Sequence, residues 1–483
     1  MQNLREIKLN LEKNFKERDE EIAGALLSIL SGENILFLGP PGTAKSLLAL
    51  KLCESIDGGN FFYYLLTRFT TPDEIFGPLS IKSLQEDEFK RKIEGYIPTS
   101  HICFLDEIFK ANSSILNSLL TLLNERKFHN GRELIDTPLL TVFAASNELP
   151  EEDESLEALY DRFLFRYSMG YIQDETNFRD LLLGDTEKMN IQSKITIRFI
   201  NEIQTKANEA KIEEDVLDAL LALRKNLRSM NHHISDRRWK KMLKALKIAS
   251  VSIGRESVDR TMVPLLQHMT WDKPEQKDAI RHLLIDLTIS GGVSLDKLMK
   301  DAEELKSLTE KSRDYTFPKT IETQDEKKEF NSWRELEEYV SKNPDETYNN
   351  PYSDKNKHEY NIRRFYFNDL IKELKENHSW NFGSTIPEPQ LKRYKKEMNE
   401  IKEQFETVKE KIFSERERLK QLMETNIWLS HKDRHDIMMN YDDKIKTVHK
   451  VEETLKRIEN GITVNEVKIE IPIIKPVHRN SGF

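Results

Sequence analysis

A chain of 483 residues is long enough for roughly two to four domains. Its 38% hydrophobic residues supply a core, while 33% charged residues, against about 25% in an average domain, predict long solvated helices. A net charge of −9 argues against nucleic acid as a partner, two cysteines exclude a disulfide framework, and no apolar run approaches the ~20 residues of a bilayer span.

With no apolar stretch after Met1, no secretory signal and no transmembrane segment are expected, and a cytoplasmic location is the default. Asn3 to Ser31 reads as two helices, with Ile22, Leu26, Ile29 and Leu30 on one apolar face. Gly32-Glu33-Asn34 stops the second helix, and Ile35-Leu36-Phe37-Leu38 reads as a buried strand.

The next eight residues are the most informative in the chain: Gly39-Pro40-Pro41-Gly42-Thr43-Ala44-Lys45-Ser46, entering a helix at Leu47. Strand, glycine-rich loop and helix make a phosphate cradle. Backbone N–H groups point at the anion, Lys45 reaches the β- and γ-phosphates, and Ser46 ligates Mg²⁺. ATP and Mg²⁺ are therefore the expected cofactors, held by residues 39–47. The general pattern has glycine where this chain has Ala44. Alanine suits the loop if its φ stays negative.

Ile102-Cys103-Phe104-Leu105 reads as a second buried strand ending in Asp106-Glu107. Ligands of open α/β sheets bind at the carboxyl ends of strands, so Asp106 is expected on Mg²⁺ and Glu107 as the general base that orients water. A third strand, from Leu139, ends at Asn147, which fits a sensor of the γ-phosphate or the attacking water. Arg162 and Arg166 are both candidates for an arginine supplied to a neighbouring subunit, where such groups are worth about 10³–10⁵ in rate. Ser235 reads as the N-cap of a helix that places Arg237 in its first turn, opposing the helix dipole and so suited to a ligand.

This order of parts resembles that of an AAA+ ATPase. Gly39-x-Pro41-Gly42-x-Ala44-Lys45-Ser46, Phe104-Leu105-Asp106-Glu107-Ile108 and Asp161-Arg162-Phe163 resemble the MoxR family, in which alanine at the Ala44 position is usual. Thr67 to Ile81, Asn124 to Gly131, Ser146 to Pro150, Leu156 to Arg162 and Ser235 to Trp239 carry the likeness further, nearest to the regulatory ATPase variant A branch, over roughly the first 300 residues. The resemblance implies an α/β P-loop AAA+ core, a parallel sheet flanked by helices, with an α-helical lid. It implies Asn147 as sensor 1, Arg162 as the arginine finger acting in trans, and Arg237 as sensor 2 in its own subunit's site. It also implies a homo-hexamer that remodels or chaperones a protein client, with a von Willebrand factor A (VWA) domain protein as partner. A nucleotide-gated scaffold and a nucleic-acid motor are the alternatives. Two β-hairpin inserts are expected near Ser80–Tyr96 and Lys127–Asp136, the second with a type I′ turn at Asn130-Gly131.

The expected division is a core over 1–190, a lid over 191–256, a helical connector over 257–312, an accessory region over 313–390, a coiled-coil hairpin over 391–462, and a terminal strand and tail over 463–483. The C-terminal region is thus α-rich. Leu391, Met398, Phe405, Ile412 and Leu419 are spaced by seven, and Tyr394, Ile401, Val408 and Leu422 fill the second seam position. After a turn at Ser430–His435, Tyr441, Val448, Leu455 and Ile462 repeat the spacing, predicting an antiparallel hairpin with arms on the order of 40–55 Å long. Val467, Ile469 and Ile471 alternate as in a strand. His232, His233, His431 and His435 lack the companions of a metal site.

Overall fold

The computed structural model describes residues 2–150, 154–183, 191, 193–289, 295–311 and 388–463, with short stretches between 314 and 386. The chain divides into two compact units, Met1–Gly292 with Ser414–Asp442 and Val293–Phe413 with Asp443–Phe483. Among the described residues no helix is long and apolar enough to cross a membrane.

The first unit is built on five parallel strands: β1 (Asn34–Leu38), β2 (Phe61–Leu65), β3 (Ile102–Asp106), β4 (Thr141–Ser146) and β5 (Phe163–Ser168). Their order across the sheet is β2-β3-β4-β1-β5. β1 and β4 are buried at every residue, as continuous apolar runs are when helices cover both faces. Register follows from this central pair: Ile35 faces Phe143 and Leu38 faces Ser146, while on the other side Asn34 faces Phe163 and Leu38 faces Ser168. The flanking helices include α1 (Gln2–Asn14), α2 (Asp19–Ser31), α3 (Lys45–Glu54), α4 (Ser113–Glu125), α5 (Glu154–Tyr160) and α6 (Glu175–Leu183).

The two inserts differ from each other. Lys127–Asn130 pairs antiparallel with Glu133–Asp136. Of the two loop residues between them only Gly131 has a positive φ, 65°, so the turn is not the expected type I′, which needs two. Asn130 is a strand residue instead, and its side chain exchanges hydrogen bonds with the backbone of Arg91 (2.6 and 3.2 Å). The first insert is not a hairpin of strands. Ser80 accepts from the Ser83 N–H and caps a short helix, Ile81–Gln85, leaving one bridge between Leu79 and Arg91. Ile-Lys-Ser-Leu-Gln lacks the alternation a strand requires, so the cap decides.

The helices α7 (Ile197–Glu209), α8 (Glu214–Ser229), α9 (Asp236–Ser252) and α10 (Lys277–Ile289) also belong to the first unit. α9 buries Met242, Ala245, Leu246 and Ala249, a helical stripe. Ser235 caps it, accepting from the Arg238 N–H at 3.2 Å. Trp428, from the distal part of the chain, is sunk into this layer, its indole donating to the Ala249 carbonyl (2.9 Å) and Ser252 Oγ (3.1 Å). Asp433 accepts from Gln267 Nε2 (3.1 Å) and Arg281 (2.8 Å).

The second unit contains α11 (Leu295–Lys311) and parts of two long helices, α12 (Glu388–Thr425) and α13 (His431–Thr463). Met398, Phe405, Ile412, Val448, Leu455 and Ile462 are buried. Lys402 pairs with Glu459 (3.2 Å) and Lys409 with Glu452 (3.4 Å), so the helices run antiparallel. Their connection is Asn426–Ser430, earlier than the Ser430–His435 expected. Ser430 Oγ accepts from the Asp433 N–H (3.0 Å) and so starts α13 at His431. Short antiparallel pairs occur in the accessory region, where Asp314–Tyr315 meets Ser384–Thr385. The strand expected near Val467 lies outside the described residues.

Glu21, in the first turn of α2, generates a prediction. Burial pushes its carboxyl up to about 7. A carboxyl whose folded pKa is raised favours the native state only while protonated. Its contribution is full below the ordinary carboxylate pKa and is lost as pH climbs through 7. Glu21→Gln should therefore match the parent near pH 4 and exceed it by ~1–3 kcal/mol at pH 8. Urea melts at both pH values check this, and parallel curves for the two proteins would refute it.

Candidate functional site

The phosphate loop leaves the carboxyl end of β1, and three neighbouring strand ends converge on it. Gly39 N–H donates to the Ser146 carbonyl at the end of β4 (3.0 Å). Beyond β5, Met169 N–H donates to the Leu38 carbonyl (2.7 Å). The fit is so close that a Cβ on Gly39 would lie 2.0 Å from the Met169 carbonyl oxygen. Only glycine fits there.

Ala44 does not behave as expected. Its φ is +65°, the left-handed conformation, and not negative. It takes the glycine geometry of the general pattern and carries the Cβ strain, about 1–2 kcal/mol. The following helix α3 presents Lys45, whose ammonium folds back onto the loop and donates to the carbonyls of Gly39 (2.7 Å) and Pro40 (2.9 Å). Burial lowers the affinity of Lys45 for its proton, while Asp106 and Glu107 hold it up. A cation over a glycine-rich loop, with carbonyls as its hydrogen-bond partners, fits a bound polyphosphate. Ser46 is exposed at the start of α3.

At the end of β3, Asp106 Oδ1 accepts from the Glu107 N–H (3.0 Å). Glu107 also has a left-handed backbone, φ 53°. That turn aims its carboxylate at two partners: Asn147 donates to Oε1 at 2.6 Å, and Lys110 lies 3.2 Å from Oε2. The structure thus joins Glu107 and Asn147 and adds Lys110, which sequence reading missed. The signal was its position three residues after Glu107, the spacing of neighbours on a helical turn.

The two arginines lie at the other end of the sheet. Asp161 and Arg162 precede β5, and the Arg162 carbonyl accepts from Asn34 at the start of β1 (3.3 Å). Asp161 binds Arg237 at 2.8 Å and stands 3.6 Å from Arg162 and from Arg238. Arg237 is therefore placed with Arg162, not with Lys45. A five-residue strand, roughly 13 Å of rise, separates this cluster from the loop of the same chain. α9 is held at this end by Lys241, which donates to Glu33 (2.6 Å), the residue before β1. Arg166 is 2% exposed and occupied by Asp272 (2.6 Å), the Trp271 carbonyl (2.6 Å) and the Tyr160 ring (3.8 Å to the ring centre). It is part of the core. Arg162 Nε is buried and has no partner among the described residues.

A parallel sheet in the order β2-β3-β4-β1-β5, with a phosphate loop after β1, an acidic pair after β3 and a helical layer behind, defines a P-loop ATPase core with a lid. Residues 2–208 match the family model described as the MoxR domain in MoxR-vWA-beta-propeller ternary systems, and residues 215–284 match the AAA lid domain. The chain belongs to the MoxR family of AAA+ ATPases. It is 42% identical to the uncharacterized protein MJ0079 of Methanocaldococcus jannaschii over 70% of this chain and 86% of that one. It is 45% identical to MJ0812 of the same organism over 56% and 72%. Structural protein ORF618 of Acidianus two-tailed virus is 33% identical over 44% of this chain and 34% of its own length.

The strain at Ala44 predicts the effect of removing it. Ala44→Gly relieves about 1–2 kcal/mol in the folded loop and costs about 0.4–1 kcal/mol through the freer unfolded chain. The variant should gain up to about 1.6 kcal/mol in a denaturant melt. A clear loss of stability would show that the left-handed conformation carries no strain here.

Proposed function

We propose that this chain hydrolyses ATP as a homo-hexameric ring and couples the cycle to remodelling of a protein client, together with a VWA-domain partner. One observation carries this reading: the two halves of a phosphoryl-transfer site sit at opposite ends of one sheet. The carboxyl end holds Lys45, Asp106, Glu107 and Asn147, and the amino end holds Arg162 and Arg237. Neither half is complete by itself. Head-to-tail association brings one copy's arginines to the next copy's loop, and repeated around an axis it closes a ring. Arg237 then acts in trans beside Arg162, in place of the same-subunit role the family resemblance implied. The family description, which names MoxR-vWA systems, supports the VWA partner.

In this reading Gly39 to Leu47 cradle the phosphates and Lys45 leaves its carbonyls for them. Ser46 and Asp106 would hold Mg²⁺, which neutralises charge on the β- and γ-phosphates. Glu107 accepts the proton of the attacking water. Asn147 and Lys110 orient that carboxylate from its two sides. Arg162 and Arg237 balance charge that develops on the transferred group.

Glu107→Gln should keep ATP binding and lower turnover by at least ~10². Phosphate release measured beside nucleotide binding checks it, and parent-like turnover would remove Glu107 from the base role. Arg162→Ala and Arg237→Ala should each be nearly inactive alone. Each should regain activity when mixed with Lys45→Ala, because mixed interfaces pair an intact loop with intact arginines. Rescue of Arg162→Ala but not of Arg237→Ala would return Arg237 to its own subunit's site.

A further inference from the structure

A second buried cation lies beside the phosphate loop. Arg18 immediately precedes α2 and is 7% exposed. Its guanidinium donates to two carbonyls, those of Glu17 (2.7 Å) and Gly170 (2.5 Å). Gly170 follows Met169, the residue packed against Gly39 of the loop. Lys45 donates to the carbonyl of that same Gly39, so the two cations meet adjoining backbone segments.

The nearby carboxylates of Glu17 and Glu21 feel the charge of Arg18, but its hydrogen bonds go to carbonyls and not to them. Glu17 accepts from the N–H groups of Gln173 and Asp174 (both 2.9 Å) and from Asn177 (3.2 Å) at the start of α6. Glu21 is buried and largely gives up its charge as pH falls below 7. Two buried cations therefore face one loop, each hydrogen-bonded to neutral oxygens. Burial of like charges near each other is unfavourable, and a bound anion would add to the offset that Glu17, Glu21, Asp106 and Glu107 supply. An anion long enough to meet both the loop and the Met169-Gly170 segment would use both cations.

We infer that Arg18 is a second cation for the phosphate chain of the bound nucleotide, exchanging the Gly170 carbonyl for a phosphate oxygen. This rests on the nucleotide reading above and adds a residue to it. The side chain is a binding residue, not a participant in bond making. A charge-assisted hydrogen bond to phosphate corresponds to roughly 10- to 100-fold in affinity.

The test uses the full chain and two probes, a non-hydrolysable ATP analogue and inorganic tripolyphosphate, in titration calorimetry. Arg18→Gln keeps a donor for the Gly170 carbonyl and removes the charge. It should melt at or above the parent's temperature without ligand yet bind both probes about 10- to 100-fold more weakly. Arg18→Lys should fall between. Parent-like affinity in Arg18→Gln would overturn the inference, as would weakening confined to the ATP analogue, which would place the arginine on the nucleoside. A loss of affinity matched by an equal loss of ligand-free stability in both variants would also overturn it, in favour of a structural tie. Lys45→Ala separates the two levels. If the parent binds the analogue and Lys45→Ala does not, the nucleotide reading stands whatever Arg18 does. If the parent binds neither probe, both fail.

Discussion

Five parallel strands give the core two chemically unlike ends, and each functional group belongs to one of them. At the carboxyl end the strands release the Gly39 loop, the Asp106-Glu107 pair, Asn147 and the Met169-Gly170 segment. At the amino end lie Glu33, Asn34, Asp161 and Arg162. Parallel strands require crossovers, so no residue can reach the other end without a strand length between. That separation keeps the Arg162 and Arg237 pair a strand length away from the Gly39 loop of the same sheet.

The amino end also shows how a protein sorts its arginines. Arg126 donates to the Gly32 and Leu140 carbonyls and to Asn34 Oδ1, tying three segments beneath the sheet. Arg238 reaches the carbonyls of Met269 and Leu164, joining α9 to the start of β5. Burial pushes Arg238 down to about 9, against the opposing pull of Asp161 and Asp272. Such groups stay where they are because each withdrawn donor would leave several buried carbonyls unmet. Arg237 keeps one carboxylate and an exposed side chain, and Arg162 keeps an unmet Nε. Arginines equal in sequence thus differ in how many hydrogen bonds they have made, which no motif records.

What was legible in the sequence follows from the range of the forces involved. Ile35–Leu38, Ile102–Leu105 and the loop at Gly39 are local signals: apolar runs, glycines, and a cation at a helix start. Their strands appear at Asn34–Leu38 and Ile102–Asp106, as read. The fold class followed from them. Three things were not legible, the last two because they depended on distant partners. Ala44 takes the positive φ of the glycine it replaces, against the steric preference of a Cβ. Arg237 faces Asp161 because α9 is anchored at Glu33. Arg166, equal to Arg162 in sequence, is taken by Trp271 and Asp272, more than a hundred residues away.

The backbone around the loop is strained in a pattern that bears on how such a site works. Among the non-glycine residues with positive φ are Glu17, Ala44 and Glu107, each adjacent to a charged group of the site. Each conformation costs on the order of 1–3 kcal/mol and persists only where the surroundings over-determine it. The restraints differ in kind. Glu17 is held by three hydrogen bonds from the start of α6, and Glu107 by Asn147 and Lys110. Ala44 is held by loop geometry between Thr43, which is buried, and the first turn of α3. Hydrogen-bonded restraints can be exchanged when a ligand offers better partners, whereas a loop wedged by its own chain cannot. The loop around Ala44 is therefore fixed by its own chain, whereas Glu17 and Glu107 are held by hydrogen bonds and an ion pair that other groups could replace.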